Sequence, residues 1–411
     1  MSEKNNDPIS TLHARNCASV RPMPKPRILI FASYYLPGFK AGGPIRSLVN
    51  LIERFEPEYE FLVVCRDRDL GDAAPFDLAR GDTWVTVGAV RVRYLSKNER
   101  TLSTLRGLIQ AVCPDVLYLN SFLDPDFTVK PLILHRLGLL PKKTGIVVAS
   151  RGELAQGALA LKPYKKKLFM RAAKWTGLYR NLVWQASSEF EEHDIRQWTG
   201  DAADIQIASD LQPGGATAAN STKDKKIGKL RMVCVARVAR NKNIDGALRI
   251  LKQVKADVAF DLYGPSEDKQ YWQECLDLVA ELPPNIKFSY CGQLPHEELS
   301  LALPRYDLFF LPTHGENFGH AILEALTAGL PILISDLTPW RRLAEQGIGW
   351  DLPLDAPQQF QAVLEQCAAM DAAEYKALSE RVCNYVAENA KDQNAIAANR
   401  SLFQQALVKS G

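Results

Sequence analysis

Short apolar runs rich in β-branched and aromatic residues alternate with helix-length amphipathic segments along nearly the whole chain, and the pattern runs twice. In the first half the runs are RILIFAS, EFLVVC, VRVRYL, VLYLN, IVVAS and LVWQAS. Helical spacing between them predicts helices near Ile45–Phe55, Leu102–Val112, Thr128–Leu137, Lys165–Leu178 and Glu189–Trp198. The alternation stops at LQPGGATAANSTKDKKIGK, which carries neither period and reads as a linker. It restarts with LRMVCVA, AFDLYG, IKFSYC, LFFLP, PILIS and IGWDL. Helices are expected near Ile244–Val254, Asp268–Leu282, Glu297–Leu303, Phe318–Ala328 and beyond Gln358. Continuously apolar strands are buried on both faces, so each half is read as a parallel sheet covered by helices. The expected fold class is α/β, with two Rossmann-like domains facing each other across a cleft. The expected boundaries are a disordered polar tail over 1–25, a first domain over 26–210, a linker over 211–229 and a second domain over 230–390. A final segment, 391–411, has helical spacing at Ile396, Leu402, Phe403 and Leu407.

A chain of 411 residues exceeds what one ordinary core supports, which agrees with two domains. A net charge of +3 gives a general nucleic-acid role no electrostatic basis. The eight cysteines are scattered, without a C-x-x-C pair, and several lie in apolar runs such as FLVVC and MVCVAR. They read as reduced core thiols, and metal-ligand spacings are absent. No apolar run approaches the roughly 18 residues that span a bilayer, and MSEKNNDPISTLHARNCASV lacks a signal-peptide core. The reading is of a cytoplasmic protein.

The stretch GENFGHAILEALTAGLPILISD raises a specific question. Glu316 precedes an Asn317-Phe318-Gly319 turn, and Glu324 sits among Ala321, Ile322, Leu323, Ala325 and Leu326. A buried, unpaired carboxylate would cost several kcal/mol, so something polar must meet both side chains. Eight residues at about 1.5 Å rise allow at most roughly 12 Å between them, near the span from a sugar ring to the ribose of a nucleotide sugar. A carboxylate accepts hydrogen bonds from vicinal hydroxyls, and free N–H groups at the helix start suit a diphosphate. Upstream, in VARVARNKNIDG, Arg237 follows a strand at its carboxyl end and Lys242 lies just before the next helix. Two cations at that edge suit a diphosphate, although a solvated basic pair is the commoner fate. In the first domain, Gly42-Gly43 lets backbone approach a ligand where the first helix begins. No full G-x-G-x-x-G occurs, which argues against a nicotinamide-dependent dehydrogenase.

Glu316, seven residues, then Glu324, within E-N-F-G-x-x-x-x-E-A-L-x-x-G-L-P, resembles the retaining glycosyltransferases of family 4, which have the GT-B fold. R-V-A-R-N-K-N upstream and LYG followed by FSYCGQLPHEEL extend the resemblance, which covers roughly Pro26 onward. It implies that Arg237 and Lys242 hold the donor diphosphate, Glu316 the donor sugar and Glu324 the ribose. Asn317, Phe318, Gly319 and Gly264 would complete the donor site, with Gly43 against the phosphates when the cleft closes. It also implies no cofactor and no metal, the co-substrate being a UDP- or GDP-sugar. Asp124–Asp126, read as D-P-D, is then not a metal motif. Similar enzymes end in a helix that returns to the first domain. Arg151-Gly152-Glu153-Leu154 stands where many members have a histidine, so Arg151 and Gly42 are candidates for sugar or acceptor contact. His314 and His320 flank the Glu316 turn, as functional or as packed side chains.

The implied activity is transfer of a sugar from a nucleotide-sugar donor to a glycan or lipid-linked acceptor in bacterial surface polysaccharide assembly. A nucleotide-sugar epimerase of the same architecture and a non-catalytic sugar-nucleotide-binding protein are the alternatives. One segment stands outside this reading. KPYKKKLFMRAAKWTGLYRNLVW interleaves Lys162, Lys165, Lys166, Lys167, Arg171, Lys174 and Arg180 with Phe169, Trp175 and Tyr179, without an acid. Such a helix suits an anionic membrane at the inner face of the plasma membrane, or it is a solvated basic face over a packed stripe.

Overall fold

The computed structural model describes residues 24–79, 81, 83–155, 159, 163–212, 225–266, 268–389 and 392–409. Residues 1–23 of the expected tail, 213–224 of the expected linker and Lys162 lie outside the described residues. The first half carries strands β1 (Arg27–Phe31), β2 (Glu60–Arg66), β3 (Val85–Val87), β4 (Val90–Leu95), β5 (Val116–Leu119), β6 (Gly145–Ala149), β7 (Val183–Ala186) and β8 (Asp204–Ile207). Its helices are α1 (Gly43–Phe55), α2 (Leu102–Val112), α3 (Lys130–Arg136), α4 (Pro163–Thr176) and α5 (Glu189–Thr199). The sheet order is β3-β4-β2-β1-β5-β6-β7-β8. Every pairing is parallel except β3 with β4, so the sheet ends in one antiparallel edge strand.

Alternate residues of β1 enter different cores, as the two-residue period of a strand requires. Ile28 and Ile30 join Ile45, Leu48 and Ile52 of α1 on one face. Leu29 and Phe31 join Leu105 and Ile109 of α2 and Ile195 of α5 on the other.

The second half carries β9 (Lys229–Val235), β10 (Asp257–Tyr263), β11 (Ile286–Gly292), β12 (Leu308–Leu311), β13 (Ile332–Ser335) and β14 (Gly349–Leu352). Its sheet, β11-β10-β9-β12-β13-β14, is parallel throughout. The helices are α6 (Ile244–Leu251), α7 (Lys269–Ala280), α8 (His296–Ala302), α9 (His320–Thr327), α10 (Leu343–Gln346), α11 (Pro357–Ala369) and α12 (Ala372–Asn389). Strand order reverses between β9 and β12 here, and between β1 and β5 in the first sheet. Ligands of open α/β sheets bind at the carboxyl ends of strands flanking such reversals.

The last helix, α13 (Gln393–Lys409), does not stay with the second sheet. Ile396, Leu402, Phe403 and Ala406 lie in the first domain's core, against β5, β6, β7 and β8. Phe403 packs among Phe55, Tyr59, Phe61 and Tyr118 at centroid distances of 5.2–6.2 Å. Gly145 admits this helix: a Cβ there would stand 2.0 Å from the carbonyl oxygen of Ala406.

Candidate active site

The reversal between β9 and β12 is where the candidate residues of the second domain gather. After β9 the chain passes Arg237, which is exposed, and turns through a short 3-10 segment at Arg240–Lys242. Three hydrogen bonds stitch this loop to the one after β12. Asn243 Nδ2 donates to the Pro312 carbonyl (2.8 Å), while His314 N and Thr313 Oγ1 both donate to the Asn241 carbonyl (2.8 Å each). The stitching brings Lys242 to Glu316, and the two form an ion pair with side chains only 13% and 15% exposed.

Glu324, on α9, is met by His296 at the start of α8, with Nδ1 3.1 Å from Oε1. Each carboxylate of the motif therefore has a basic partner. Lys242 was legible as a candidate; His296 was not, because nothing in the spacing of HEEL ties it to α9. Glu324, His296 and His320 line a pocket of about 210 Å³ whose opposite wall is Arg46 and Asn50 of α1. The site thus spans both domains.

The helix of the motif starts at His320, two residues later than its periodicity suggests. Gly319 has φ +83, a left-handed conformation that keeps Glu316–Phe318 outside the helix as a turn. Trp340 Nε1 fixes that turn by donating to the Phe318 carbonyl (2.5 Å), and the Phe318 ring lies 4.8 Å from the His320 ring. Gly264 has a packing reason of its own: a Cβ there would stand 2.0 Å from the Ala236 carbonyl oxygen.

From the first domain, the start of α1 and the turn after β6 press on the Glu316–His320 segment. A Cβ at Gly43 would stand 2.7 Å from His320 Cδ2, and one at Gly152 would stand 1.7 Å from Asn317 Nδ2. Gly42 carries φ +67 with no neighbour near a notional Cβ, so its glycine serves the turn's conformation. Arg151 is a first-domain strut. Its Nε donates to Asn120 Oδ1 (2.7 Å), Nη1 to Asp210 Oδ1 (2.5 Å) and Nη2 to the Tyr118 hydroxyl (2.9 Å).

Asp210 is the last residue of the expected first domain, and its position before LQPGG gives no signal of a site. Burial opposes its charge, but Arg151 and hydrogen bonds from His320 and Ser47 outweigh this and hold the carboxyl below the ordinary aspartate range. Burial likewise opposes the Arg151 charge, while Asp210 and Tyr118 raise its pKa overall. Both partners stay ionised. Among the described residues, no three His, Cys, Asp or Glu side chains group so as to hold a metal ion. Nor is any described helix long and apolar enough to cross a membrane.

Residues 219–382 match the family model described as Glycosyl transferases group 1. A 2-deoxystreptamine N-acetyl-D-glucosaminyltransferase of Niallia circulans is 28% identical over 114 residues, 27% of this chain and 28% of that protein. The chain spans less than a third of the length of the curated relatives it matches, 28% and 20%. Among solved structures, HepE of Anabaena in complex with UDP and glucose aligns over 92% of this chain and 98% of its own, at 15% identity and a TM-score of 0.64. Sucrose-phosphate synthase of Thermosynechococcus elongatus aligns over 93% and 100%, at 15% identity and a TM-score of 0.66. What these structures share with the chain is the fold, the two-domain GT-B arrangement.

Proposed function

We propose that the chain is a retaining, metal-independent glycosyltransferase that moves a sugar from a nucleotide diphosphate to a glycan or lipid-linked acceptor. The observation that carries this reading is the pairing of Lys242 with Glu316 at the strand-order reversal of the second sheet. It puts a cation and a carboxylate side by side where a diphosphate and a sugar hydroxyl can be held together. Arg237, Lys242 and the amide groups at the start of α9 hold the diphosphate. Glu316 accepts from the sugar hydroxyls and Glu324 from the ribose. The acceptor oxygen attacks the anomeric carbon on the face from which the diphosphate leaves. That carbon's bond to the phosphate oxygen breaks as the new C–O bond forms, and the acceptor proton passes to the leaving phosphate. The enzyme supplies charge stabilisation and alignment, with no nucleophile of its own.

The direct test is thermal unfolding of the purified protein with a panel of UDP- and GDP-sugars. A true donor at a hundredfold excess over its Kd stabilises by about 2.7 kcal/mol. Transfer should survive excess EDTA, since Arg237 and Lys242 supply the neutralising charge. Activity lost in EDTA and restored by magnesium or manganese would overturn the metal-independent part. Interconversion of the donor with no acceptor present would reassign the site to a nucleotide-sugar epimerase.

The lipid-linked acceptor has support from α4. Tyr164, Leu168 and Trp175, at i, i+4 and i+11, form one stripe exposed at 88%, 72% and 89%. Phe169, Met170 and Ala173, on the opposite face, pack into the core. Lys165, Lys167, Arg171 and Lys174 stand beside the stripe, and the helix contains no acid. An exposed aromatic stripe rimmed by cations suits an anionic bilayer surface. The protein should co-sediment with phosphatidylglycerol vesicles at low salt, each cation adding about 1 kcal/mol, and dissociate as salt rises. Lys165→Ser, Lys167→Ser and Trp175→Ser together should release it with donor affinity unchanged. Wild-type protein that stays in the supernatant at low salt would leave α4 a solvated face.

A further inference from the structure

The polar cluster between the domains does work that donor recognition does not require. His320 is the first residue of α9 and follows Gly319, so its position sets the Glu316–Gly319 turn. Its Nε2 lies 3.0 Å from Asp210 Oδ2 and 2.8 Å from Ser47 Oγ, both in the first domain. Ser47 Oγ in turn donates to Asp210 Oδ2 at 2.6 Å. A carboxylate only accepts, so Nε2 carries the hydrogen. Behind Asp210, Arg151 reaches Asn120 and Tyr118 at the end of β5. One hydrogen-bonded chain therefore runs from the first sheet to the first residue of the donor helix. The glycine at position 43 is what admits the imidazole, since any Cβ there would meet its Cδ2.

We infer that Asp210 and His320 are a positioning pair that fixes how the first domain closes over the donor turn. The inference rests on the proposed transfer reaction. An acceptor carried by the first domain must meet the anomeric carbon in a near-attack geometry, and a misplacement of about 1 Å can cost a hundredfold. A buried carboxylate that stayed unpaired until closure would be too costly, and Arg151 removes that problem by neutralising Asp210 within its own domain. His320 can therefore engage and release without unfolding either half.

The test uses the full chain with His320→Leu and His320→Gln. Leucine removes the donor, whereas the glutamine amide can still donate to Asp210. Small-angle scattering should give His320→Leu a larger radius of gyration than wild type, and His320→Gln a wild-type value. In turnover, kcat of His320→Leu should fall at least tenfold while affinity for UDP stays within threefold, and glutamine should restore most of the rate. If His320→Leu does not fold, Gly43→Ala, whose Cβ would stand 2.7 Å from His320 Cδ2 and displace the imidazole from Asp210, should reproduce the opening. A His320→Leu protein as compact as wild type, or a compact Gly43→Ala where leucine does not fold, overturns the inference. Should wild type transfer no sugar from any nucleotide donor, the reaction falls, but the scattering comparison still decides whether the pair holds the domains closed.

Discussion

Lys242→Ala should lower kcat/KM for sugar transfer by a hundred- to a thousandfold with the fold intact. A preorganised charge or donor aimed at the developing negative charge of a transition state is worth about 2.7–4 kcal/mol, and Lys242 is only 13% exposed. The neighbouring substitution gives a sharper result. In the free protein Lys242 is paired with Glu316, so the incoming diphosphate competes with that carboxylate for the ammonium group. Glu316→Gln removes the competitor while keeping the shape. Transfer should therefore collapse by a comparable factor, while affinity for UDP alone stays level or rises. Calorimetric titration of UDP and steady-state rates on the two variants check this. A Lys242→Ala enzyme within tenfold of wild type, or a Glu316→Gln protein that loses UDP binding, would contradict the roles assigned to the pair.

The second large effect concerns stability. Gly145→Ala should destabilise the protein by about 3 kcal/mol, at the upper end of overpacking costs. The added methyl would stand 2.0 Å from the Ala406 carbonyl oxygen and 2.7 Å from its carbon, and backbone atoms cannot rotate away as a side chain does. The expected signature is a lower denaturant midpoint and early proteolysis of α13. Gly107→Ala in α2 is the control, because nothing lies within 4 Å of its notional Cβ. That change should leave stability level or raise it by about 1 kcal/mol, the helix propensity gained. Equal stability for the two variants would mean that α13 is not seated on β6 as described.

The two sheets were legible because buried parallel strands announce themselves as unbroken apolar runs. The elements that escaped the reading are those at the rims. β3 is three residues long and pairs antiparallel to β4, and β8 (DIQI) is half-buried along its length. Neither offers the apolar run that marks a buried strand. The delayed start of α9 turned on one left-handed glycine, a backbone choice that helical periodicity does not report. In the site, Lys242 could be nominated from its place after a strand, whereas His296, Ser47 and Asp210 depend on contacts across 28, 273 and 110 residues from their partners. Local pattern is silent about such contacts. Asp210 closes the expected first domain just before the linker, and no motif there marks it as part of a site.

The return of α13 to the first domain means that the chain joins the two halves twice, once on the way to β9 and again between α12 and α13. The same topology makes the second domain an insert within the first. Exchanging the second domain would therefore require two cuts, leaving α13 with the host it already packs against.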